Sequence, residues 1–201
     1  MANQLNPIHR IVLTGGPGAG KTTAADLLRR ELGEKVIVVP EAATMIFSGG
    51  FPRYDNPAAR KSTQKTIYSI QQNLEDVQSL RYPERILLCD RGTLDSAVYW
   101  PDGSDSFFKE MNTSLEAELS RYDAVIFFES ASVAKREIIE GGNPTRNESI
   151  DEAARLDQEL YKIWSHHSHF RHIPNNQSFI KKITIAIDCI LETMKLFQDR
   201  T

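Results

Sequence analysis

Residues Gly15-Gly16-Pro17-Gly18-Ala19-Gly20-Lys21-Thr22 fit the spacing G-x-x-x-x-G-K-[ST], directly after an apolar run and directly before a helical one. Glycines at this spacing let successive backbone amides turn inward around phosphate oxygens, and the helix that follows presents its positive end to them. Lys21 then reaches the β- and γ-phosphates, Thr22 offers a hydroxyl to Mg2+, and Thr23 serves the first helical turn or the α-phosphate. The expected chemistry is capture of a nucleoside triphosphate with Mg2+ by Gly15, Gly16, Pro17, Gly18, Ala19, Gly20, Lys21, Thr22 and Thr23. The alternative is a Gly-rich strand-to-helix turn with no ligand.

Such a loop needs a second acidic group at the end of a neighbouring strand, and Arg85-Ile-Leu-Leu-Cys-Asp90 supplies it, so Thr22 and Asp90 are the expected metal-binding pair. The next residue is Arg91, a cation suited to a phosphate or an anionic substrate, and not a Glu that would polarise water. Val38-Val39-Pro40-Glu41 places Glu41 at another strand's C-terminal end, where a carboxylate can take the proton of an acceptor hydroxyl. The bland alternatives are a surface ion pair ending a strand at Asp90 and Arg91, and a helix cap at Glu41.

These residues must be held by strands. Short β-branched or apolar runs occur at Ile11–Leu13, Lys35–Val39, Arg85–Cys89, Ala124–Phe128 and Phe170–Ile173, and they alternate with amphipathic stretches at Thr22–Leu32, Pro57–Leu80, Ile150–His167 and Phe179–Phe197. That alternation predicts an α/β fold: a five-stranded parallel sheet with helices on both faces, three layers in all. In the second helix, Ile67, Ile70, Leu74, Val77 and Leu80 are the expected buried stripe, ended by Pro83. Ser48–Asn56, Pro101–Ser106 and Glu140–Asn147 read as exposed connections.

The Gly15–Thr22 loop, Val39-Pro40-Glu41 and Asp90-Arg91 resemble the motifs of deoxynucleoside kinases and nucleoside-monophosphate kinases, a branch of the P-loop kinases. Over roughly Arg10 to Leu191 the chain is similar to small AAA-like ATPase or kinase-like proteins related to the nicotinamide-riboside kinase module. Glu41-Ala-Ala, Asp90-Arg91-Gly92-x-x-Asp95, Arg146-x-Glu148 and Pro174-Asn175-Asn176 carry that likeness. The resemblance implies a kinase-like P-loop NTPase core, with Glu41 as the base and Arg91 near the acceptor. It also implies a helix glutamine, here Gln64 or Gln71, reading a base, with a polar helix surface as the plainer reading.

A small phosphotransferase must exclude water, and Glu140-Gly141-Gly142-Asn143-Pro144-Thr145-Arg146-Asn147-Glu148 has hinge glycines and an arginine for a closing lid at about 140–149. Arg155 could point back from the helix that follows, and Arg53 and Arg60 flank a connection on the substrate side. A plain loop, with Ser149 as N-cap and Glu152 completing a capping box, explains all but Arg146. His166, His167, His169 and His172 lack the Cys or clustered carboxylates of a tetrahedral metal site.

The 201 residues fit one domain over 1–201, and 40% hydrophobic against 25% charged residues excludes a disordered chain. A net charge of −3 without a basic run argues against nucleic acid, and no stretch approaches a membrane span. Cys89 and Cys189 read as two buried thiols in a reducing compartment, which predicts a cytoplasmic protein; the expected assembly is a monomer or homodimer. The expected function is ATP- and Mg2+-dependent transfer of the γ-phosphate to a small nucleoside- or nucleotide-like acceptor, with Lys21, Glu41, Arg91 and Arg146 as catalytic residues. Its rivals are a regulatory ATPase, a nucleotide-dependent binding module without a small acceptor, and an inactive nucleotide-binding scaffold.

Overall fold

The computed structural model describes residues 9–130, 149–175 and 178–198. In chain order the elements are β1 (Arg10–Thr14), α1 (Lys21–Leu32), β2 (Val36–Val39), α2 (Ala42–Ser48), α3 (Pro57–Arg81), β3 (Ile86–Asp90), α4 (Asp95–Val98) and α5 (Ser104–Met111). They continue with α6 (Leu115–Leu119), β4 (Ala124–Phe128), α7 (Ile150–Trp164), β5 (Phe170–Ile173) and α8 (Phe179–Gln198). The five strands form one sheet in the order β2-β3-β1-β4-β5, and every neighbouring pair is parallel. Each predicted strand is present within a residue of its expected ends.

Both faces of this sheet are buried because successive strand residues point to opposite sides. Ile11, Leu13, Leu88, Ile126 and Phe128 face Ala24, Ala25, Leu28 and Leu32 of α1 and Ile183, Ala186 and Ile190 of α8. Val12, Leu87, Cys89, Val125 and Phe127 face the other way, onto Leu160 and Trp164 of α7 and Leu74 of α3. The result is three layers, with each fully buried Leu or Ile contributing roughly 1.5–3 kcal/mol.

α3 begins where Asn56 caps it, its side chain accepting from the Ala58 and Ala59 amides at 2.9 and 3.3 Å, and Pro57 occupies the first turn at no hydrogen-bond cost. Its buried face corrects the sequence reading. Tyr68, Gln71, Glu75 and Ser79 are buried, whereas Val77 is 59% and Leu80 82% exposed. Glu75 replaces the expected apolar contact with charge: Arg121 donates to it at 3.1 Å, the Tyr122 hydroxyl at 2.8 Å, and Arg10 lies 3.7 Å away.

The connection expected over Pro101–Ser106 is cut short because α5 starts at Ser104. Cys89 is buried as expected, but Cys189 is only half-buried on α8. Among the described residues no helix is long and apolar enough to cross a membrane.

Candidate functional site

The sheet order sets the site. β1 sits between β3 and β4, so the loop leaving β1 emerges beside the ends of both, and Leu13 pairs in register with Asp90. Gly15 has φ +135 and a Cβ there would lie 2.0 Å from the Phe128 carbonyl oxygen, so no larger residue fits against β4. Gly20 enters α1 at φ +85 with Phe179 against it. Lys21, the first residue of α1, is buried and donates to the carbonyls of Gly15 and Gly16 at 2.7 and 2.9 Å. Thr23 is exposed.

Beside the loop, the Thr22 hydroxyl donates to Asp90 Oδ2 at 2.7 Å. Asp90 is 2% exposed and its Oδ1 has no hydrogen-bond partner among the described residues. Burial raises its pKa, and the Glu41 charge adds to the rise against the pull of Thr22, Lys21 and Arg91. A buried carboxylate with an orphaned oxygen, adjoining a hydroxyl, is the donor set a hard divalent cation takes. The residues therefore fit Mg2+.

Arg91 follows Asp90 with φ 75, a left-handed backbone uncommon outside glycine, and its N–H is held by the Leu13 carbonyl at 3.1 Å. The twist turns its guanidinium onto two carboxylates: Nε donates to Glu41 Oε1, and Nη1 donates to Asp95 Oδ2 at 2.6 Å. Asp95 Oδ1 in turn accepts from the Thr14 hydroxyl at 3.1 Å and the Trp164 indole at 2.8 Å. Asp90 and Arg91 are both buried and not paired with each other, so the surface ion pair is excluded.

Glu41 stands at the N-terminus of α2, but its carboxylate caps no amide. It accepts from the Thr44 hydroxyl at 2.5 Å and from Arg91. Burial pushes its pKa up, but the Arg91 charge, the Thr44 hydroxyl and the nearby Lys21 outweigh it and hold the carboxyl at about 2.

Glu41 and Arg91 line a cleft of about 710 Å³ that runs from Pro17 of the loop to α2, α3 and the start of α7. Arg53, Arg60, Gln64 and Gln71 line it too. Gln71 is not on a solvated surface: it is 2% exposed, and its Nε2 donates to Glu75 at 3.0 Å and to the Arg91 carbonyl at 3.2 Å. Arg155 does not point back. It is exposed and pairs with Glu152 and Glu159 on its own helix. Ser149 does cap α7, accepting from the Glu152 amide at 3.2 Å. Arg146 and the rest of the expected lid up to residue 148 lie outside the described residues, as does Asn176. Asn175 ties β5 to α8, its amide donating to Glu129 at 2.6 Å and its Oδ1 accepting from Lys182 at 2.7 Å. His167 braces a turn, bonded to the Tyr122 carbonyl at 2.8 Å and to the His169 amide at 3.0 Å.

Sequence reasoning missed Asp157 and Trp164 of α7, and gave Asp95 no role beyond its place in a motif. Asp157 falls among Ala153, Leu156, Leu160 and Trp164, all buried. A carboxylate inside an apolar stripe was the available signal.

The solved structure of deoxyadenosine kinase from M. mycoides with bound dATP is similar, with a TM-score of 0.61 at 16% identity over 90% of this chain and 98% of that one. At that identity the likeness speaks for the fold, a kinase-like P-loop nucleotide-binding fold. No curated protein matches the sequence. The profile described as AAA domain matches residues 10–179, most of the chain, and so this protein belongs to the AAA domain family.

Proposed function

We propose that the protein is a phosphotransferase that uses ATP and Mg2+ and moves the γ-phosphate to a hydroxyl of a small nucleoside- or nucleotide-like acceptor held in the cleft. The observation that carries this reading is the Glu41–Arg91 pair, which lines the cleft at the same C-terminal end of the sheet as the phosphate loop. The likeness to a deoxyadenosine kinase supports the acceptor class.

Gly15 to Gly20, Lys21, Thr22 and Thr23 hold the nucleotide phosphates. Thr22 and Asp90 hold Mg2+, which when bound shields the phosphate charge. The acceptor hydroxyl bonds to the γ-phosphorus through its oxygen, the bond from that phosphorus to the β-phosphate bridging oxygen breaks, ADP leaves, and the hydroxyl proton goes to Glu41. A loose phosphoryl-transfer transition state makes little demand on the base until late, so a carboxylate as acidic as Glu41 suffices. Arg91 meets the acceptor or the phosphoryl group in transit.

A screen of nucleosides, nucleotides and pyridine ribosides with ATP and Mg2+, read by ADP release, tests this. ADP release that rises with one acceptor class supports it, and a low rate indifferent to every acceptor contradicts it. The AAA domain match favours a second reading, a regulatory ATPase, which predicts that indifferent rate.

A further inference from the structure

Asp157 is a buried carboxylate that the mechanism above does not use. Its Oδ1 accepts from the Gly16 amide at 2.6 Å and from the Ser130 amide at 3.1 Å. The Ser130 hydroxyl donates onward to the Pro17 carbonyl at 2.7 Å. Gly16 cannot carry a side chain here, since a Cβ would lie 2.7 Å from the Asp157 Cβ. The Gly16 carbonyl accepts from Lys21 at 2.9 Å and from the Ala19 amide at 3.3 Å. The first arc of the phosphate loop is thus held at the Gly16 amide, the Gly16 carbonyl and the Pro17 carbonyl, from α7 and from the end of β4 as well as from within.

We infer that Asp157 is a positioning residue for nucleotide binding: with Ser130 it fixes the Gly16-Pro17 arc so that the later amides of the loop converge on phosphate. The inference rests on the nucleotide half of the reading above and needs no acceptor. Electrostatics alone would disfavour a carboxylate near a triphosphate, so what Asp157 supplies is acceptor geometry. α7 also sends Trp164 to Asp95, the second anchor of Arg91, so one helix grips the loop and the Arg91 cluster.

The test is calorimetric titration of the full chain with a non-hydrolysable ATP analogue and Mg2+. D157A should weaken binding about 10- to 100-fold through loss of two hydrogen bonds to a charged acceptor. D157N keeps an oxygen acceptor and should bind within about threefold of the parent, or more tightly for want of the like charge. In turnover, D157A should raise KM for ATP and leave KM for the acceptor unchanged. If D157A does not fold, S130A replaces it, with weaker binding expected. Unchanged affinity in a folded D157A or S130A, or D157N as weak as D157A, would overturn the inference. Binding is read without an acceptor, so absent phosphotransfer would count against the proposed function and not against this role.

Discussion

Glu41 keeps its charge because Arg91, Thr44 and Lys21 together outweigh the burial that would neutralise it, and its pKa sits at about 2. Glu41→Gln should therefore leave ATP affinity nearly unchanged and slow transfer by a factor of ~10²–10⁴, read from kcat against the dissociation constant for the nucleotide. Normal turnover in that variant would remove the base assignment. The same depressed pKa stabilises the fold. Set against an ordinary 4.5, the contribution is complete above about pH 4.5 and is lost as the pH falls toward 2. Denaturant unfolding at stepped pH should show Glu41→Gln less stable than the parent at pH 7, by up to about 3.4 kcal/mol, with the gap closing below pH 4.5. A gap that stays constant with pH would contradict the account.

Within α3 the decisive side chain is Glu75, fully buried against Arg10, Arg121 and Tyr122. Glu75→Ala would remove the buried carboxylate between Arg10 and Arg121 and should cost about 3–5 kcal/mol in denaturant unfolding, with Glu75→Gln costing less because it fills the space and keeps one acceptor oxygen. Cooperative unfolding within 1 kcal/mol of the parent would show the cluster to be dispensable. This element also marks where sequence patterning stops. The helix from Pro57 was legible from its helical spacing and from Pro83 at its end, but its buried face was not. Val77 and Leu80 keep an apolar spacing, yet the face is chosen by a charge cluster whose partners, Arg10, Arg121 and Tyr122, lie far from Glu75 along the chain. The helices α4, α5 and α6 have four, eight and five residues, too few turns for a periodic signal. The strands were legible because a strand buried on both faces is written as an unbroken apolar run. The phosphate loop, Asp90, Arg91 and Glu41 were legible because each ends such a run. Asp157 and Trp164 were passed over: a carboxylate inside the apolar stripe of α7 was a local signal, but the partners that give it a role, Gly16 and Ser130, lie far from it along the chain.

Across the whole molecule, the strand order β2-β3-β1-β4-β5 brings Glu41, Asp90-Arg91 and the phosphate loop together at the C-terminal ends of adjacent strands. Nucleotide binding must then stabilise the fold by mass action. ATP with Mg2+ at 100 times its dissociation constant adds about 2.7 kcal/mol, or roughly 5–11 °C in Tm for a chain of this size. Lys21→Ala should abolish that rise, and an equal rise in the variant would place the nucleotide elsewhere. The central claim, transfer and not hydrolysis, is tested most directly by following the γ-phosphate of labelled ATP in the presence of acceptors found by the screen. The account predicts label in an organic phosphate ester, lost in Lys21→Ala and slowed in Glu41→Gln. Label recovered only as inorganic phosphate, at a rate no acceptor changes, would contradict it.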